Sequence, residues 1–135
     1  MHSHLYHLQL NIDFKGFVFY KDLMTLLGWS VIFEEEDMAG YKSGNNGDVW
    51  FINASTPNTS DFDNRGVNHI SFRVDKKTDV DKVVKFLKKN KVEALFETPR
   101  HRPEFSDGED QTYYQVMFKT EDNLLFEVVY VGVKE

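Results

Sequence analysis

His7-Leu-Gln-Leu-Asn-Ile-Asp13 is answered 62 residues later by His69-Ile-Ser-Phe-Arg-Val-Asp75. Each copy opens on histidine, alternates apolar with polar residues, closes on aspartate and leads into a helical pattern. A duplicated unit accounts for both. Period-two alternation sends His7, Gln9 and Asn11 to one face of a strand and Leu8, Leu10 and Ile12 to the other. Two equivalent histidines are then expected to point into one shared cavity.

Working outward from the first copy, Phe17, Tyr20, Leu23, Met24 and Leu27 recur at spacings of three and four. The spacing predicts a helix over 14–27, stopped at Gly28. Trp29 to Glu35 reads as a strand, Gly40 to Gly44 and Asn45-Asn-Gly47 as turns, and Asp48 to Ala54 as a mostly buried strand. The polar stretch Ser55 to Arg65 serves as a linker. After the second copy, Val80, Val83, Val84 and Leu87 predict a helix over 78–90 with Thr78 as N-cap. Its lysines Lys82, Lys85, Lys88 and Lys89 form a solvated face. A strand near 92–97, a loop over 99–110, a strand over 111–119, a turn at Glu121-Asp-Asn123 and a strand over 124–131 complete the pattern.

The fold expected is α+β: two tandem βαβββ modules whose curved mixed sheets form a half-open barrel, with helices outside. The boundaries are module one at 1–57, a linker at 58–65 and module two at 66–135. At 135 residues with 41% hydrophobic content, the chain suits one compact domain and is too short for two full ones. The absence of cysteine excludes disulfides, thiolate metal sites and cysteine nucleophiles. The net charge of −6 disfavours a nucleic-acid partner, because phosphate neutralisation needs the opposite sign. No apolar run approaches the roughly 20 residues of a membrane helix, and the N-terminus lacks the basic-then-apolar pattern of a signal peptide, so a cytoplasmic location is expected.

Glu127 is the residue most in need of explanation, because it is the single acid in Leu124-Leu-Phe-Glu-Val-Val-Tyr-Val131. An ionised carboxylate among apolar neighbours needs a cation, a hydrogen-bond donor or a metal. Pairing with Arg73 or a lysine on a cavity face is one solution. The other is metal ligation beside His7 and His69. Two imidazoles and one carboxylate suit borderline divalent cations such as Fe, Mn, Ni, Co or Zn and leave positions open for substrate. On this reading Glu127 is both ligand and catalytic residue. Tyr113 and Gln115 alternate in one strand and are expected to share the cavity face with Glu127 and to orient a substrate oxygen, with ordinary cross-strand packing as the alternative. Gln9, Asn11, Ser71 and Arg73 follow the histidines on the polar face and are candidate substrate-binding residues. Arg100, His101 and Arg102 form a basic triplet that suits a carboxylate or phosphate but reads mainly as a surface loop. His2 and His4 carry no role.

Taken together, Tyr6-His7 through Asp13, Phe19-Tyr20, Leu26-Leu-Gly-Trp29, Asn68-His69 through Asp75 and Glu121-Asp-Asn-Leu-Leu-Phe-Glu127 resemble the vicinal oxygen chelate superfamily. That superfamily includes glyoxalase I, extradiol dioxygenases, fosfomycin-resistance thiol transferases, methylmalonyl-CoA epimerase and bleomycin-resistance proteins. The resemblance implies that His7 matches the first histidine ligand, His69 the second and Glu127 the closing carboxylate. The remaining slot falls near Asn53, where glyoxalase I usually has glutamate; this departure argues against an ordinary glyoxalase I site. The other three match the His-His-Glu set of dioxygenases and thiol transferases. The former usually join two such pairs of units in a longer chain, and the latter carry basic phosphonate-binding residues in the second unit and at the C-terminus, where this chain ends in Val-Lys-Glu135. Two functions follow: a metal-dependent lyase, isomerase or dioxygenase acting on vicinal oxygens, or a metal-free binding protein like the bleomycin-resistance branch. A homodimer is expected on family grounds.

Overall fold

The computed structural model describes residues 1–135, which divide into two compact units, 1–58 and 59–135. In unit 1 the strand β1 (His7–Ile12) leads through a turn of 3₁₀ helix at Phe14–Gly16 into α1 (Phe17–Leu26), followed by β2 (Ser30–Glu34), β3 (Met38–Lys42) and β4 (Asp48–Asn53). In unit 2, β5 (Ile70–Val74) precedes α2 (Lys77–Lys89), β6 (Ala94–His101), a 3₁₀ turn at Pro103–Phe105, β7 (Gln111–Lys119) and β8 (Leu125–Val133). Both sheets repeat one topology. Their orders are β1-β4-β3-β2 and β5-β8-β7-β6, with the first strand parallel to the last and the other pairs antiparallel. The chain is therefore α+β, built from two βαβββ modules.

The alternation read in β1 is realised, since Leu10 and Ile12 are buried while His7, Gln9 and Asn11 are exposed. Gln9 donates from Nε2 to Asn11 Oδ1 at 2.9 Å, which only residues on one strand face can do. α1 buries Phe17, Tyr20, Leu23 and Met24, the stripe its spacing dictates. Asp13 caps the preceding turn by accepting from the Lys15 amide at 3.1 Å. Gly28, at φ +79°, ends the helix in the left-handed region open to glycine. The apolar stripe of α2 buries Val80, Val83 and Leu87.

Four readings of the sequence are revised. Gly40 lies within β3 rather than in a turn, paired with Trp50. A Cβ there would stand 2.8 Å from the Trp50 ring, so glycine admits the indole across the sheet. The N-cap of α2 is Lys76, without a side-chain cap bond, and Thr78 lies inside the first turn. β6 does not stop at Glu97: Phe96 and Glu97 take left-handed φ of 57° and 59°, the register shifts, and pairing resumes at Arg100 with Gln115. Pro99 has no N–H for the ladder, so the strand passes it as a bulge. Finally, the segment read as a linker belongs largely to unit 2. Asn123 donates to the Thr59 hydroxyl at 2.8 Å, and Phe62 packs edge-on against Phe96 at 6.2 Å.

Candidate functional site

Register places the duplicated residues in equivalent positions. In unit 2, Ser71 stands opposite Glu127 across the parallel β5–β8 pair. In unit 1, Gln9, the counterpart of Ser71, stands opposite Trp50. Internal equivalence thus matches Glu127 to Trp50. Asn53 instead stands opposite Ile12, and its Oδ1 accepts the Phe14 amide at 3.1 Å. The module-one counterpart of the acid is an indole, which offers no metal ligand.

Glu127 is 4% exposed and wrapped in hydrogen bonds. Its Oε1 accepts from the Ser71 hydroxyl and from the Tyr113 hydroxyl at 2.9 Å; its Oε2 accepts from Gln115 Nε2 at 2.6 Å. All three donors are neutral. Arg73, considered above as its partner, donates instead to the Val131 carbonyl at 2.9 Å. Neighbouring strands supply the donors: Ser71 from β5, Tyr113 and Gln115 from alternate positions of β7.

Gln115 is 1% exposed and cannot turn freely. Its Oε1 accepts from Arg102 Nη1 at 3.3 Å, which commits its amide nitrogen to Glu127. The Tyr113 hydroxyl is pushed up to about 12, first by burial and then by the Glu127 carboxylate to which it donates. It stays a donor at any physiological pH. Tyr41 and Tyr114 are likewise raised to about 12, chiefly by burial. Folded-state values above the ordinary 10 mean that their contribution to stability is whole below pH 10 and is lost as pH rises through about 12. Ultraviolet titration of the six tyrosines should therefore leave at least these three protonated at pH 11, with the urea midpoint level to about pH 10 and falling beyond it. A single tyrosinate step centred near pH 10 would contradict the burial described.

His69, just ahead of β5, is oriented by its neighbour. Asn68 donates from Nδ2 to the Phe62 carbonyl at 2.9 Å, so its Oδ1 faces His69 Nδ1 at 2.8 Å as an acceptor. The Nδ1 proton is thereby assigned to that bond, and Nε2 keeps its lone pair. Ligating histidines are commonly held in this way.

His69 and Glu127 line one cavity of about 530 Å³ in unit 2, together with the polar Tyr113, Gln115 and Arg102 and the rings of Phe62, Phe96 and Phe105. Neither unit by itself gathers three His, Asp or Glu side chains around one point. Of the residues singled out in the sequence, Ser71, Tyr113, Gln115 and Glu127 are brought together. Gln9, Asn11 and His7 line the exposed face of β1 in unit 1. Asn68 and the particular rings Phe62, Phe96 and Phe105 were not singled out, although Asn68-His69 stood in the stretch that carries the family resemblance. Arg102 was weighed in a basic triplet suited to a carboxylate or phosphate, with a surface loop as the main reading.

A matching architecture recurs in solved structures. A protein of Bacillus halodurans provisionally assigned as a glyoxalase shares 23% identity over 93% of this chain and 94% of its own, with a TM-score of 0.75. A glyoxalase/bleomycin resistance protein from Albidiferax ferrireducens shares 17% over 95% and 99%, at 0.73. The fosfomycin resistance protein FosX of Listeria monocytogenes shares 19% over 96% and 92%, at 0.65. At these identities the likeness establishes the fold. The sequence profile of the glyoxalase/bleomycin resistance protein/dioxygenase superfamily matches residues 15–128. The chain belongs to that superfamily. No curated protein matches it significantly in sequence. In this member of the superfamily the second module carries a histidine and a buried acid on one cavity, and the first has Trp50 at the position equivalent to that acid. No helix is long and apolar enough to cross a membrane.

Proposed function

We propose that the chain is a small metal-dependent enzyme acting on a substrate with vicinal oxygens, and that His69 and Glu127 of unit 2 are ligands of a divalent cation. The observation that carries this reading is the fixed tautomer of His69: Asn68 occupies Nδ1 and leaves Nε2 as the donor on a cavity wall that also carries a buried carboxylate. That carboxylate is met only by neutral donors, so its charge is available to a cation. The donor set of imidazole nitrogen and carboxylate oxygen fits Fe, Mn, Ni, Co or Zn.

Bound there, such a cation would supply Lewis acidity to a substrate oxygen. The chain's own residues do the rest. Tyr113 and Ser71 hold Oε1 of Glu127, Gln115 holds Oε2, and the carboxylate so fixed is placed to accept a proton from substrate in the cavity. Lyase, isomerase and dioxygenase chemistry all lie within this arrangement. The reading includes a homodimer, supported by sheets that each end in two edge strands, and a cytoplasmic location.

The test is the metal content of protein purified without an affinity tag, before and after incubation with each cation, for the parent and for His69→Ala. About one cation per cavity in the parent, lost in the variant, is the expected result. No uptake by the parent from any of the five cations would favour the metal-free binding module instead.

A further inference from the structure

We propose that Arg102 reads an oxyanion on the substrate, so that the ligand of this cavity pairs a carboxylate, phosphonate or phosphate group with a flat apolar body. The inference shares with the proposed function only the unit 2 cavity as the substrate site; it does not require the cation. Arg102 is the one cation among the residues that line the cavity, where the other charged residues are Asp63 and Glu127.

The guanidinium is held as a fixed fork. Its backbone N–H donates to the Tyr113 carbonyl at 2.7 Å, which extends the β6–β7 ladder one residue past His101 and gives the side chain a rigid base. Nε donates to Glu104 Oε1 at 2.6 Å, Nη1 donates to Gln115 Oε1 at 3.3 Å, and the guanidinium carbon lies 4.9 Å from the centre of the Phe105 ring. The side chain is 20% exposed. Of the five N–H groups of an arginine, these two bonds use two. Three remain for a ligand, in a plane set by Phe105 and Gln115, and a planar fork matches the paired oxygens of an oxyanion. Glu104 is itself half exposed, so its grip on Nε is that of a screened surface pair, which a better-placed anion displaces.

Two further rings of the lining specify the rest of the ligand. Phe62 and Phe96 meet edge-on, and Phe96 is 46% exposed although it is a large apolar side chain. It is presented there by a backbone at φ 57°, followed by Glu97 at 59°. Consecutive left-handed residues without a glycine cost energy and persist where the surroundings hold them. The bulge thus spends conformational strain on keeping an aromatic face in the cavity. Gln115 ties the two ends together, because its Oε1 receives Arg102 and its Nε2 serves Glu127. An oxyanion at Arg102 lies one side chain from the carboxylate.

Phenylphosphonate carries both features, and benzyl alcohol retains the ring without the charge. Calorimetric titration of the full chain, stripped of metal with a chelator, should show phenylphosphonate binding at least about tenfold more tightly than benzyl alcohol. Arg102→Gln should erase that preference, and Arg102→Lys should keep only part of it, because a point charge lacks the fork. Circular dichroism establishes that both variants fold. Equal binding of the two probes by the parent, or a preference undiminished in both variants, overturns the proposal. Because the titration is done without metal, a failure of the metal reading appears separately, as an absence of metal uptake.

Discussion

Glu127→Gln should weaken divalent-cation binding at least about a hundredfold, some 2.7 kcal/mol, in a competition titration against a chromophoric chelator. The change removes the anionic ligand while keeping its size. It also reverses the sense of one hydrogen bond. Ser71 and Tyr113 still find an acceptor at the carboxamide oxygen, but the new amide nitrogen faces Gln115 Nε2, donor against donor, where 2.6 Å now separates donor from acceptor. Gln115 cannot simply turn over, since Arg102 occupies its Oε1. The metal-free variant should therefore also lose about 1–3 kcal/mol of stability, the cost of a buried donor without a partner. Adding Gln115→Glu restores an acceptor opposite the new amide and should recover stability without recovering metal affinity, which separates the two effects. A dissociation constant within threefold of the parent's would remove Glu127 from the ligand set.

The isolation of that acid was plain in the sequence, because one carboxylate in an otherwise apolar strand is visible without coordinates. Its partners were only half visible. Tyr113 and Gln115 lie on one strand face by alternation, a local rule, and both donate to it. Ser71 follows from the pairing of β5 with β8, which no local rule provides. Arg73 was a reasonable guess for charge balance, but it lies two residues farther along β5 and meets the Val131 carbonyl instead. Arg102 was named as a possible anion contact but read mainly as surface loop, because Pro99 and the two left-handed residues before it interrupt every strand signal. A strand that passes a bulge and resumes is indistinguishable from a loop when only one chain segment is read. Gly40 failed for a related reason: the glycine answers to Trp50 on the neighbouring strand, so its meaning lies across the sheet. The doubled phrase carried the architecture because periodicity within a strand and repetition along the chain are both properties of a single sequence.

The same duplication explains which residue bears most of unit 1. Phe51 follows Trp50 as Val128 follows Glu127, and both of these second residues are buried between sheet and helix. Phe51 is fully buried and meets three rings: Tyr20 at 4.9 Å, Tyr41 at 6.0 Å and Phe17 at 6.4 Å. Two of these come from α1 and one from β3, so this single side chain joins the helix to the centre of the sheet. Phe51→Ala should cost about 3–5 kcal/mol, the transfer energy of the ring plus the cavity left among groups too constrained to close it. Both tryptophans, Trp29 and Trp50, belong to unit 1, so their fluorescence reports on this unit during urea unfolding. The expected result is a fluorescence transition moved to markedly lower urea, whereas Phe51→Leu, which refills most of the volume, should move it much less. A loss below about 1 kcal/mol in the alanine variant would mean that the contacts among α1, β3 and β4 do not converge on this ring.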